Sequence, residues 1–217
     1  YYEWNEDRSL DWFCAHSGLN TVELNASFYR FPSPNQITSW AEKGADLSWS
    51  VKVHRSVTHN HLFNEEGFAV WEKFQDAFAP MDDFIDFYLF QAPPRFDNAD
   101  RLIGFVEDAG LGDRCAVELR NTDLLGDDEL CARIADMAVL VSVDSPDFQN
   151  RIFSGPLIYL RMHGRNDWYK HDYTANELEE TASIVRDRHP ERVHVFFNND
   201  HAMLDNARAM RDILTGG

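Results

Sequence analysis

Lysine is scarce in this 217-residue chain: four residues, Lys43, Lys52, Lys73 and Lys170, stand against sixteen arginines. Cysteine is scarcer still. Cys14, Cys115 and Cys131 are an odd number without CxxC spacing, which argues against a disulfide framework or a structural zinc site. Buried reduced thiols in a cytoplasmic protein are the expectation. No apolar run approaches the roughly 18 residues of a membrane span, so a membrane-spanning helix is excluded. GxGxxG, P-loop, GxSxG and HExxH patterns are all missing, so no common dinucleotide, phosphate-loop, serine-hydrolase or zinc-protease motif is present and no cofactor is named. The opening Tyr1-Tyr2-Glu3-Trp4 has no signal-peptide character, and a start on Tyr1 is read as a natural beginning left off.

What the chain has in excess is negative charge. Acidic residues outnumber basic ones 37 to 20, for a formal net charge of −17. Such a surface opposes sequence-blind binding to nucleic acid or anionic lipid. Aspartate exceeds glutamate 23 to 14, a pattern shared by proteins of a high-salt cytoplasm and by ordinary acidic proteins; salt dependence separates the two. At 25.1 kDa and 44% hydrophobic residues, the chain is long enough and apolar enough for a substantial core.

Apolar periodicity marks seven β-type runs, at 20–25, 48–54, 86–92, 115–120, 138–144, 157–163 and 193–199. Helical stretches lie near 8–17, 34–43, 66–79, 98–109, 127–136, 174–188 and 202–214, with a weaker one around 147–153. This alternation predicts an α/β fold of parallel strands with crossover helices. With no Pro/Gly/Ser-rich linker, residues 1–217 read as a single domain. A series opening on a helix and running through seven strands fits a TIM-like (β/α)8 barrel whose first strand precedes Tyr1. An open doubly wound sheet is the competing architecture, and the absent glycine-rich turn weighs against it.

In a barrel the chemistry sits where strands end, and the polar residues of this chain gather there. The visible strands lead into Glu23 and Asn25 with Tyr29 and Arg30, Lys52 and His54 with Arg55, Gln91, Glu118 and Arg120, Asp144, Arg161 and His163 with Arg165, and finally Asn198, Asn199 and Asp200. Glu23/Asn25, Lys52/His54, Glu118/Arg120 and Arg161/His163 are spaced two apart, so each pair shares one face of its strand. One reading is mutual neutralisation within the fold. Buried ion pairs are a weak route to stability, however, so a ligand site is the stronger reading. Arg30, Lys52, Arg55, Arg120, Arg161 and Arg165 suit an anionic small molecule or phosphoester. Glu23, Glu118 and Asp144 are the candidate acid/base groups, with His54 and His163 as proton carriers.

The same His54, His163, Glu23, Glu118 and Asp144 supply metal-ligand types, but no local metal signature accompanies them. The neighbouring Lys52, Arg120 and Arg161 would also repel a divalent ion. His59 and His61 resemble a metal pair, although a polar loop containing histidines is the plainer reading. Ser145, between Asp144 and Pro146, reads as a turn rather than a nucleophile. Trp168, Tyr169 and Tyr173 follow the sixth run in a polar stretch suited to closing over a ligand, with core packing the alternative for Tyr173.

The run from Asn20 through Thr21, Val22 and Glu23 to Asn25, then Phe28-Tyr29-Arg30 and Pro32-Ser33-Pro34, resembles the signature of the YecE-like family, the domain of unknown function numbered seventy-two. Ser50-Val51-Lys52-Val53-His54-Arg55 with Thr58-His59, Phe90-Gln91-Ala92-Pro93-Pro94 and Glu118-Leu119-Arg120 follow in order. Asp144-Ser145-Pro146, Arg161-Met162-His163-Gly164-Arg165 and Phe197-Asn198-Asn199-Asp200 complete the series. The resemblance implies a TIM-barrel-like fold and an opening strand with a GTSGW-like stretch, which the natural protein is expected to contain. It brings no reaction with it. Three readings therefore stand: an enzyme using acid/base chemistry on an anionic substrate, a metal-dependent phosphodiesterase on nucleic acid, and a non-catalytic sensor or scaffold for an anionic metabolite. Net charge disfavours the nucleic-acid partner.

Overall fold

A computed structural model describes Asn5 and residues 7–216; the aromatic opening of the chain lies outside the described residues. The chain forms two compact units. One comprises residues 1–20, with helix α1 (Leu10–His16), together with residues 141–217; the other is residues 21–140.

The 21–140 unit is built on a parallel sheet in the order β1 (Thr21–Leu24), β2 (Ser48–Lys52), β3 (Ile85–Ala92), β4 (Cys115–Leu119) and β5 (Val139–Leu140). Helices α2 (Ala26–Tyr29) and α3 (Pro34–Lys43) link the first two strands. Then come α4 (Glu65–Phe78), α5 (Ala99–Ala109), α6 (Thr122–Gly126) and α7 (Asp128–Ala135). Helix starts follow their sequence signals: Ser33 and Gln36 form a reciprocal capping box with Pro34 in the first turn of α3, and Asn64 and Asn98 cap α4 and α5. In β3 every residue but Asp86 is buried, as a strand covered on both faces requires. The core is heavily aromatic, with Trp71 edge-on to Tyr88 and Phe90 at 5.0 and 4.9 Å.

The other unit holds a parallel sheet in the order β6 (Ser142–Asp144), β7 (Leu157–Met162) and β8 (Arg192–Phe197), with helices α8 (Ala175–Asp187) and α9 (Met203–Thr215). Its core joins Ile158, Leu160 and Met162 to Tyr173, Leu178, Val185 and Met210. Arg208 donates to the Ser17 carbonyl at 2.8 Å, tying the end of the α1 segment to α9.

The α/β class with parallel sheets agrees with the sequence reading, and the seven main helices fall within a residue or two of their expected ends. Two expectations need correction. The run at 138–144 is not one strand: it divides at Val141, with residues 139–140 pairing with β4 and residues 142–144 with β7. The stretch at 147–153 is not helical. Asn150 sits at φ 49° with its N–H donating to Asp144 Oδ1, and Val143 and Arg151 form an antiparallel bridge that spends backbone groups a helix would need. The sequence pattern also overlooks the π-type turn at Ser56–Asn60 and the 3-10 segment at Ala79–Phe84.

Candidate functional site

In the 21–140 unit the parallel register sets the polar strand ends side by side: Gln91 lies level with Glu118 across β3 and β4. Glu118 is fully buried, and both its oxygens are engaged. Arg120 Nε lies 2.6 Å from Oε1, and Gln91 Nε2 donates to Oε2 at 2.7 Å. Asn25 Nδ2 donates to Glu23 Oε1 at 2.9 Å, so the pairing two apart that the spacing suggests does form for both Glu23 and Glu118.

Behind β1 the chain turns at once into α2. The Ser27 hydroxyl lies 2.9 Å from the Leu24 carbonyl and 2.7 Å from that of Lys52, fixing α2 against the end of β2. This places the Phe28 ring under Lys52, whose Nζ lies 4.4 Å from the ring centroid, and edge-on to His59 at 4.9 Å. Arg95, three residues beyond the β3 end, donates to the His59 carbonyl. His59 thus stands half-buried among Lys52, Arg95 and Arg55. Burial and those three cations, against a smaller pull from Glu118, hold its imidazole at about 4, far below the ordinary 6.5. The ring is neutral at pH 7, with Nδ1 2.8 Å from the Thr58 hydroxyl.

His54 is differently employed. Its Nδ1 accepts from the Ser56 N–H at 3.2 Å, and the ring also hydrogen-bonds the Tyr29 backbone, so it clamps the turn after β2 to the turn after β1. Burial lowers its pKa, with Arg55 adding to the effect. Arg30 and Tyr29 are exposed beyond this clamp.

In the other unit Asp144 is buried and committed. Oδ1 accepts the Asn150 N–H at 2.7 Å and Oδ2 lies 3.1 Å from Arg165 Nε. Arg165 in turn reaches Glu180 at 2.7 Å and Thr181 at 3.1 Å. These two residues therefore face each other inside a network that joins β6 to α8. His163 is buried and packs against Trp168 and Tyr169 at 5.4 and 5.8 Å between ring centroids. Arg161 is buried on β7. Asn198 donates its backbone N–H to the Met162 carbonyl, extending the ladder, and Asn199 Nδ2 bonds the His171 carbonyl and Asn206. Tyr173 belongs to the core: it is buried and its hydroxyl accepts the Gly164 N–H at 2.9 Å.

Among the described residues no group of three or more His, Cys, Asp and Glu side chains is placed to hold a metal ion. The expectation of buried thiols holds for Cys115 and Cys131 but not for Cys14, which is exposed because α1 buries Leu10 and Phe13 and turns the next position outward. Spacing along the strands does not single out Arg95, and a polar loop is the plainer sequence reading of His59. The signal in each case was a residue a few positions past a strand end, where period-two spacing no longer applies.

The family described as "Protein of unknown function DUF72" matches residues 2–216. Two solved structures share the fold: a DUF72 family protein of Enterococcus faecalis, at TM-score 0.79 and 19% identity over 99% of this chain and 92% of that one, and a DUF72 family protein of Thermotoga maritima, at TM-score 0.73 and 24% identity over 95% and 87%. No curated protein matches.

Proposed function

Because the chain belongs to the DUF72 family, the domain also called YecE-like, whose description supplies no reaction, we propose its function from the strand ends of the 21–140 unit: binding and acid/base processing of a small phosphorylated or carboxylate anion. The observation that carries this is the convergence of Lys52, Arg95 and Arg55 on one half-buried neutral imidazole, His59, in a chain of net charge −17. Gathering cations against one another costs free energy that an anion would recover. Phe28 holds Lys52 and His59 together, and Arg95 is anchored through the His59 carbonyl.

Within this reading the roles divide by engagement. Lys52, Arg55 and Arg95 neutralise the ligand. Glu118, with both oxygens taken, orients Arg120 and Gln91 rather than acting as base. His59, neutral at pH 7, is the group that takes a proton. The ligand's charge offsets the repulsion from the three cations, so binding raises the pKa of the ring and is coupled to proton uptake below pH ~6.5.

Calorimetric titration with sulfate, which does not itself titrate between pH 5 and 7, tests the reading. Saturable binding that tightens as pH falls from 7 to 5 is expected. Lys52→Met and Arg95→Met should each weaken it by about tenfold, the scale of one charge-assisted hydrogen bond. Absence of saturable binding of sulfate, phosphate and citrate at low salt would overturn it.

A further inference from the structure

Three large hydrophobic side chains stand well exposed among the described residues, and two of them, Tyr29 at 70% and Phe31 at 36%, sit together on the segment that follows β1. Tyr29 connects to the cationic cluster through one intervening ring, and Phe31 packs on the neighbouring His54. Tyr29 meets Phe28 edge-on at 5.0 Å, and that same Phe28 ring carries Lys52 at 4.4 Å and His59 at 4.9 Å. Phe31 lies against His54 at 4.8 Å and is braced from behind by Phe74 at 5.4 Å.

Neither ring is exposed for lack of local order. The Tyr29 backbone is held by the His54 ring, and the segment is closed on the far side by the Ser33–Gln36 capping box of α3. A fixed aromatic edge in water beside a fixed cluster of positive charge is a costly surface for a folded chain to maintain without a use. It is complementary to a molecule with a flat face at one end and an anion at the other.

We propose that the site takes a phosphomonoester carrying a flat aromatic ring, of the nucleoside monophosphate or aryl phosphate class. The phosphate sits among Lys52, Arg95 and Arg55, and the ring packs on Tyr29 with Phe31 at its edge. This rests on the anion-binding reading above and adds the part of the ligand that the cations do not touch. Because Tyr29 and Lys52 share one supporting ring, a ligand one sugar longer than a phosphate reaches both.

Three probes separate the parts: inorganic phosphate, ribose 5-phosphate and adenosine 5′-monophosphate, titrated into the full chain at fixed ionic strength. Adenosine monophosphate should bind about tenfold more tightly than ribose 5-phosphate, the lower range of stacking one base on an aromatic side chain. Tyr29→Ala should erase that preference and leave inorganic phosphate unchanged, while Tyr29→Phe should keep it. Equal binding of the two sugar phosphates by the unaltered chain, with phosphate still bound, would overturn the ring subsite and leave the anion site standing. Failure of all three probes to bind would overturn both. A Tyr29→Ala chain that retains the preference would also sink the assignment, and its near-unchanged phosphate affinity would show that it had folded.

Discussion

At the scale of single residues, the least legible feature of the sequence is the most consequential. His59 looks like loop because its neighbours Lys52 and Arg95 are 7 and 36 positions away and only the fold brings them together. Glu118 and Arg120, by contrast, were legible because two positions along a strand is a fixed geometry, and they form the close ion pair that spacing suggests. The His59 environment carries a stability prediction. An unfolded chain protonates this ring near pH 6.5, whereas the folded chain refuses the proton until about pH 4. Between those values the unfolded state binds more protons, so stability rises with pH across the window and is lost as pH falls through it. Tm measured from pH 7 to pH 4 should fall less steeply for His59→Gln than for the unaltered chain. Parallel curves would remove the cations from the neighbourhood of the ring.

At the scale of elements, helices were read closely because their signals are local. Ser33, Asn64, Asn98 and Thr174 each supply a side-chain cap where the pattern begins, and none depends on distant chain. The 138–144 run shows the opposite case. Its apolar pattern is continuous, and partner strands alone decide that residues 139–140 pair with β4 and residues 142–144 with β7, which no local period encodes. Helix α8 offers the clearest test of local control. The Thr174 hydroxyl caps its first turn. Glu177 returns the bond to the Thr174 N–H at 2.8 Å while also holding His171 at 3.1 Å. Burial pushes the Glu177 carboxyl up, but bonds from Thr174 and His171 outweigh it and hold it below the usual value. Thr174→Ala should cost about 1 kcal/mol in denaturant unfolding, and Thr174→Ser only a fraction of that. Equal losses would place the role of Thr174 in packing rather than in the cap.

At the scale of the whole chain, 37 acidic residues against 20 basic ones set a self-repulsion that the folded state must bear. Raising salt from about 0.1 M to about 1 M shortens the screening length from about 10 Å to about 3 Å, so Tm should rise with sodium chloride. A flat or falling Tm would show that the carboxylates lie too far apart to oppose one another. The three thiols follow from how each unit packs. Burial pushes Cys115 up to about 12, and Cys131 is likewise covered, both within the 21–140 unit, whereas Cys14 stands in water on α1 of the other. The chain therefore carries its own clock: a thiol reagent marks Cys14 at once and reaches the other two at the pace at which the five-stranded unit opens, so chemistry at sulfur times one unit's breathing without any engineered probe.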